Sequence, residues 1–162
     1  MSTDALISLE SLSELLVREL VELRRFCALL EEERKVLSGA HADRLPDIST
    51  EKSSLAGTLH QLEARRDALL THEGFPAGRC GVEAWLASRP NLDVERGRWS
   101  ELQKLAARAR DDNEINGRLI DLLLKQNREA LSVLLSGGAE SIYGADGQQR
   151  SLAVGKRSLG AG

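Results

Sequence analysis

Five leucines at seven-residue intervals, Leu9, Leu16, Leu23, Leu30 and Leu37, constrain this chain more than any other feature. Residues seven apart lie on one face of an α-helix, and no Gly or Pro occurs between Asp4 and Leu37 to break one. Leu12 and Phe26 fill alternate heptad positions, while Glu19 and Glu33 interrupt that second row. Leu15, Leu20, Leu29 and Val36 widen the stripe, so the pattern predicts a bundle helix touching two neighbours rather than a strict two-stranded zipper. Such a helix is a rod roughly 50 Å long. Glu14 with Arg18, Arg18 with Glu22, and Glu31 with Lys35 place opposite charges at helical spacing on its solvated side.

Ser38-Gly39 ends this helix, with Gly39 expected in the left-handed C-cap conformation. Asp43 is the expected N-cap of a second helix, with Pro46 in its first turn. Its seam reads Leu45, Ile48, Lys52, Leu55, Leu59, Leu62, Arg66, Leu69. The short connection makes the pair an antiparallel hairpin. The run Gly74-Phe75-Pro76-Ala77-Gly78-Arg79-Cys80-Gly81 then stops the second helix, and Pro90-Asn91 breaks the chain again. Between them a short helix carries Trp85 onto the bundle.

A last long helix follows, with Asn91 or Asp93 as its cap. Its seam reads Trp99, Leu102, Ala106, Ala109, Asn113, Asn116, Ile120, Leu123, Asn127, Ala130, Leu134. Three asparagines on an apolar stripe admit two readings: they fix helix register inside the protein, or they mark a face left for a partner. Residues 136–162 hold seven of the fourteen glycines and no helical repeat, so a flexible tail is expected there. Ile142 and Tyr143 form its large apolar pair, which either docks on a partner or folds back on the bundle.

The expected fold is therefore all-α: an elongated antiparallel bundle of three long helices, a short helix in the connection, and a tail. The helices cover about 4–38, 44–71, 82–88 and 94–135, within one domain over residues 1–135. Composition agrees, because 29 Leu stand against 16 Val, Ile and Thr together, a ratio that a sheet protein would reverse.

No apolar run approaches the roughly 18–20 residues that span a membrane, and Met1-Ser2-Thr3-Asp4 does not open like a secretory signal, so a cytoplasmic protein is expected. Cys27 and Cys80 are expected to remain thiols there. A net charge of −3 gives no electrostatic case for nucleic acid. Catalytic and metal chemistry find no foothold either. None of the Glu residues has His three positions on, His41, His60 and His72 are isolated, and neither Cys belongs to a C-x-x-C pair. Glu31-Glu32-Glu33 reads as a solvated face, and Gly155-Lys156-Arg157-Ser158 lacks the first Gly and the hydroxyl position of a phosphate loop. No cofactor and no enzymatic activity are expected.

Residues 29–69, LLEEERKVLSGAHADRLPDISTEKSSLAGTLHQLEARRDAL, with Glu51-Lys52 ahead of the Leu55, Leu59, Leu62 ladder, resemble the N-terminal hairpin of FlgN-type flagellar export chaperones. Residues 111–134, DDNEINGRLIDLLLKQNREALSVL, are similar to that family's long C-terminal helix, above all at Asn113, Asn116-Gly117 and Leu119-Ile120. Ile142-Tyr143-Gly144-Ala145-Asp146-Gly147 resembles the tail that follows it.

The resemblance implies a cytoplasmic chaperone of type III flagellar secretion, one that binds the C-terminal helical segments of hook–filament junction (hook-associated) proteins, prevents their early polymerisation and brings them to the export gate. The client would lie on Leu119, Ile120, Leu123, Leu124, Leu131 and Leu134, with Asn116, Gln126 and Asn127 supplying hydrogen bonds. Ile142 and Tyr143 would meet the gate. The competing reading is a structural coiled-coil scaffold that uses the same seams to self-associate; the chain itself could be a monomer or a homodimer.

Overall fold

The computed structural model describes residues 11–39 and 42–142, with side chains described as far as Leu135. Helix α1 runs Leu12–Ser38, a 3-10 turn covers Ala42–Arg44, α2 runs Leu45–His72, α3 Arg79–Ala87 and α4 Asp93–Ile142. No strand occurs among the described residues. The expected α1 residues before Ser11 lie outside them.

Ser11 caps α1 through a reciprocal pair: the Glu14 amide donates to Ser11 Oγ at 3.2 Å, and the Ser11 amide donates to Glu14 Oε2 at 2.7 Å. At the other end Gly39 is extended (φ −114, ψ −174) rather than left-handed, and its N–H closes on Val36 O at 3.3 Å. The α2 start also differs from expectation. Asp43 sits inside the 3-10 turn and Arg44 precedes the helix without a side-chain cap; Pro46 in the first turn stands in for one, since it has no N–H to leave unpaired.

Two ion pairs on the seam give the relation of α1 to α2. Glu33 accepts from Lys52 Nζ at 2.8 Å, and Glu19 accepts from Arg66 Nη1 at 2.7 Å. The second pair lies fourteen residues back along α1 and fourteen onward along α2, which only an antiparallel pairing in constant register produces. Leu16 and Leu69, Leu23 and Leu62, Leu30 and Leu55, and Leu37 and Ile48 share the same offset, and all eight are buried. The two glutamates that break the leucine row of α1 therefore answer the two cations that break the row of α2. Burying such a leucine removes enough apolar surface to be worth about 2 kcal/mol, so the apolar layers drive association and the charges select its register.

Helix α4 lies parallel to α1: Arg24 meets Glu101, Cys27 Sγ reaches Leu105 O, and Arg34 meets Asp112, in ascending order on both helices. This gives an up-down-up order for the three long helices. Trp99, Leu102 and Ala109 of α4 join Leu16, Leu23, Leu30, Leu62 and Leu70 in one core, which α3 closes with Val82, Trp85 and Leu86. The Trp85 Nε1 donates to Glu73 Oε2 at 2.9 Å, and the Arg89 guanidinium stacks 4.6 Å from the indole. The α2–α3 turn depends on glycine. Gly74 and Gly78 have φ of +85° and +78°, and a Cβ on Gly81 would stand 1.6 Å from Pro76 O. Helix α3 starts at Arg79, three residues before the expected start at 82.

Helix α4 continues to Ile142, seven residues beyond the expected end at Leu135. The chain divides within it, into a unit ending at Ile120 and one beginning at Asp121.

Candidate functional site

Asn116 is the polar centre of the α4 seam in the unit that ends at Ile120. It is wholly buried; its Nδ2 donates to Leu30 O at 2.9 Å and to Glu33 Oε2 at 2.8 Å, and its Oδ1 accepts from Arg34 Nε at 3.1 Å. Both N–H donors and the oxygen of the amide are thus engaged by α1. Asn116 fits the register reading of the asparagines, since its side chain is enclosed within the first unit. Arg34 also donates to Asp112 Oδ1 at 2.7 Å, and Lys52 Nζ reaches Asn113 Oδ1 at 3.2 Å, so the neighbouring seam asparagine is answered by a cation of α2.

Within the unit that begins at Asp121, Leu123, Leu124, Asn127, Leu131 and Leu134 fall within about 120° of the helix circumference, and Gln126 lies outside that arc. Ile120 and Leu123 are half-buried, as is Leu119, whereas Leu124, Gln126, Asn127, Leu131 and Leu134 are exposed. Leu131 is 58% and Leu134 72% exposed. Leu135, 76% exposed, lies in the same arc and extends the expected set. Its signal was available as the fourth residue after Leu131, but it stood at the expected end of the helix. Leu122 and Val133, also exposed, lie on the opposite side.

Electrostatics around the arc are weak. Lys125 Nζ stands 3.9 Å from Glu129 Oε1, an exposed pair one turn apart on the far side of α4. What the second unit offers is thus a ridge of five leucine side chains, Leu123, Leu124, Leu131, Leu134 and Leu135, interrupted once by Asn127. Ile142 is the last helical residue, and Tyr143 lies outside the described residues.

The two thiols differ. Cys27 is buried against Leu105 O, and burial pushes its thiol up from the usual range; Cys80 is exposed at the start of α3. No described helix is long and apolar enough to cross a membrane.

Comparison with known proteins follows the same span. The family model described as FlgN protein matches residues 1–151. A flagella synthesis protein FlgN of Salmonella typhimurium is 30% identical over 139 residues, covering 85% of this chain and 89% of the relative. That of Proteus mirabilis is 26% identical over 153 residues, 92% of this chain and 97% of its own length. One from Yersinia enterocolitica is 29% identical over 116 residues, 72% of each chain. No solved structure matches the chain.

Proposed function

Because this chain belongs to the FlgN protein family, we propose that it is a cytoplasmic flagellar export chaperone whose clients are the C-terminal helical segments of hook–filament junction proteins. The observation that carries the reading is the open leucine arc of α4 from Leu123 to Leu135, where apolar side chains stand exposed on an ordered helix. An amphipathic client helix laid along that arc would remove the apolar surface of both partners from water. Covering the client's own seam is also what keeps it from pairing with other subunits before export.

Release is built into the same physics. A client segment that orders only on binding loses conformational entropy as it docks, so affinity stays moderate despite the apolar contact. The reaction is association alone, with no bond made or broken. Ile142 and Tyr143 are assigned to contact with the export gate.

Titration of the purified chain with the C-terminal segment of a junction subunit tests the reading. Saturable binding below about 50 µM supports it; absence of binding at that concentration rejects it. Self-association that consumes the α4 arc would favour a scaffold instead.

A further inference from the structure

Of Asn91, Asn113, Asn116 and Asn127, the asparagines of the chain, Asn116 alone precedes a glycine. An Asn-Gly pair is chemically labile. The backbone nitrogen of the second residue can attack the side-chain Cγ of the first, because glycine puts no side chain in the way and leaves the backbone free to turn. The folded chain denies that attack twice. The Gly117 N–H belongs to the main-chain ladder of α4, and the helical backbone holds it away from Cγ. The Asn116 amide is wholly buried and pinned to α1, donating to Leu30 O and Glu33 Oε2 and accepting from Arg34 Nε.

We propose that Asn116-Gly117 is a latent self-modification site, closed while α1 covers α4 and open when the two separate, whose reaction prevents the bundle from forming again. The Gly117 nitrogen bonds to Asn116 Cγ and gives up its proton, the Cγ–Nδ2 bond breaks, and ammonia departs to leave a succinimide. Water then opens either carbonyl of the ring, giving aspartate or isoaspartate, and is the one reagent consumed. Neither product can replace the amide. One carboxylate oxygen could still accept from Arg34, but the other stands where a donor stood, facing Leu30 O and Glu33 Oε2. The charges of this layer already balance, Lys52 with Glu33, Arg34 with Asp112 and Arg108 with Glu31, so the new carboxylate is a surplus negative charge in a buried site. Isoaspartate also lengthens the backbone of α4 by one carbon and breaks its hydrogen-bond ladder. A chain whose α4 has stayed apart from α1 thus carries a permanent mark and does not return to the bundle.

The test holds the full chain in native buffer and in denaturing urea at the same mildly alkaline pH. The tryptic peptide of residues 111–118 is followed by mass spectrometry, with fragment ions separating Asn116 from Asn113. Expected is conversion at Asn116 at least about a hundredfold slower in native buffer, since it proceeds only from the opened fraction. Gly117→Ala should slow the reaction in urea by about tenfold, because the added methyl restricts the turn that brings nitrogen to carbon. After dilution from urea, converted chains should lack the cooperative melt that unconverted chains and Gly117→Ala regain. Asn116→Asp should melt roughly 10 °C or more below the parent, or not fold at all. Similar rates of conversion in the two solvents, or conversion in urea at Asn113 in place of Asn116, overturn the proposal. Recovery of the parent's melting point by converted chains, or by Asn116→Asp, overturns it equally.

Discussion

Glu19 Oε2 accepts from Arg66 Nη1 at 2.7 Å, while Glu19 Oε1, also buried, has no hydrogen-bond partner. Both side chains are almost fully enclosed, and the Arg66 guanidinium also stacks 5.5 Å from the Trp99 ring. One ion pair therefore joins α1 to α2 and touches α4. Burial pushes the Glu19 carboxyl up from 4.5 to about 7, against the pull of Arg66.

That shift sets a pH dependence. Below about 4.5 the carboxyl is protonated whether the chain is folded or not, and its favourable contribution is fully present; between there and about 7 the folded chain holds a proton that the unfolded chain has lost. Stability should fall as pH rises from 5 to 8, by up to about 3 kcal/mol from this group. Glu14, Glu83 and Glu95, lowered by Ser11, Arg79 and Ser13 respectively, act in the opposite sense and only below about pH 4.5. Urea unfolding of the parent and Glu19→Gln across pH 5–8 checks this: the amide can still accept from Arg66, and the slope should flatten. A parent whose stability does not fall over that range refutes it.

Asn116→Ala should be among the most damaging single changes outside the apolar core. It leaves Leu30 O without its side-chain donor and strips Glu33 and Arg34 of a shared partner in a buried site. A loss of about 2–3 kcal/mol is expected, readable as a melting point lower by roughly 4–12 °C.

Two glycines should respond in opposite directions. Gly81→Ala drives a methyl into Pro76 O and should cost about 1–3 kcal/mol or more by displacing α3, whereas Gly117→Ala, with open space around it in mid-helix, should gain about 0.5–1 kcal/mol. Chemical denaturation of the two variants distinguishes them, and equal responses would contradict the geometry.

Leu131→Asp and Leu134→Asp place a charge in the open arc. Because both side chains are exposed, stability should move by less than about 0.5 kcal/mol, while affinity for a junction-protein segment should fall by roughly tenfold or more. A calorimetric titration beside a thermal melt reads both. Unchanged affinity would remove these residues from the client face.

Thiol chemistry gives a simpler check. Cys80 is exposed and Cys27 is buried with a raised thiol, so an aromatic disulfide reagent at neutral pH should label one thiol per folded chain and both after denaturation. Rapid labelling of both in the native state would mean that α1 and α4 separate readily around Leu105.

The helices and the hairpin were legible because leucine spacing reports directly on one helix at a time. What spacing could not reveal was the partner of a polar residue. Glu19 and Glu33 read as interruptions of α1, and Lys52 and Arg66 as interruptions of α2, until the antiparallel register set them opposite each other. Asn116 left two readings open for the same reason, since the partners of its three side-chain hydrogen bonds are all more than eighty positions away. The end of α4 differs on other grounds: seven glycines and no helical repeat after Leu135 point to a tail, but glycine in a helix costs only about 1 kcal/mol, and α4 runs on to Ile142. The open arc itself was readable from sequence as far as Leu134.

The paired charges of the hairpin also proofread its alignment. Leucine layers repeat every heptad and would accept a slip of one repeat almost unnoticed. Such a slip would carry Glu33 opposite Leu45 or Leu59, and Glu19 opposite Leu59 or Glu73, leaving both carboxylates without a cation. A slip of two repeats would restore a single match at most. Misaligned hairpins therefore bury unpaired charge, and the repetitive stretch that makes α1 and α2 easy to form acquires, through four residues, only one alignment in which it can rest.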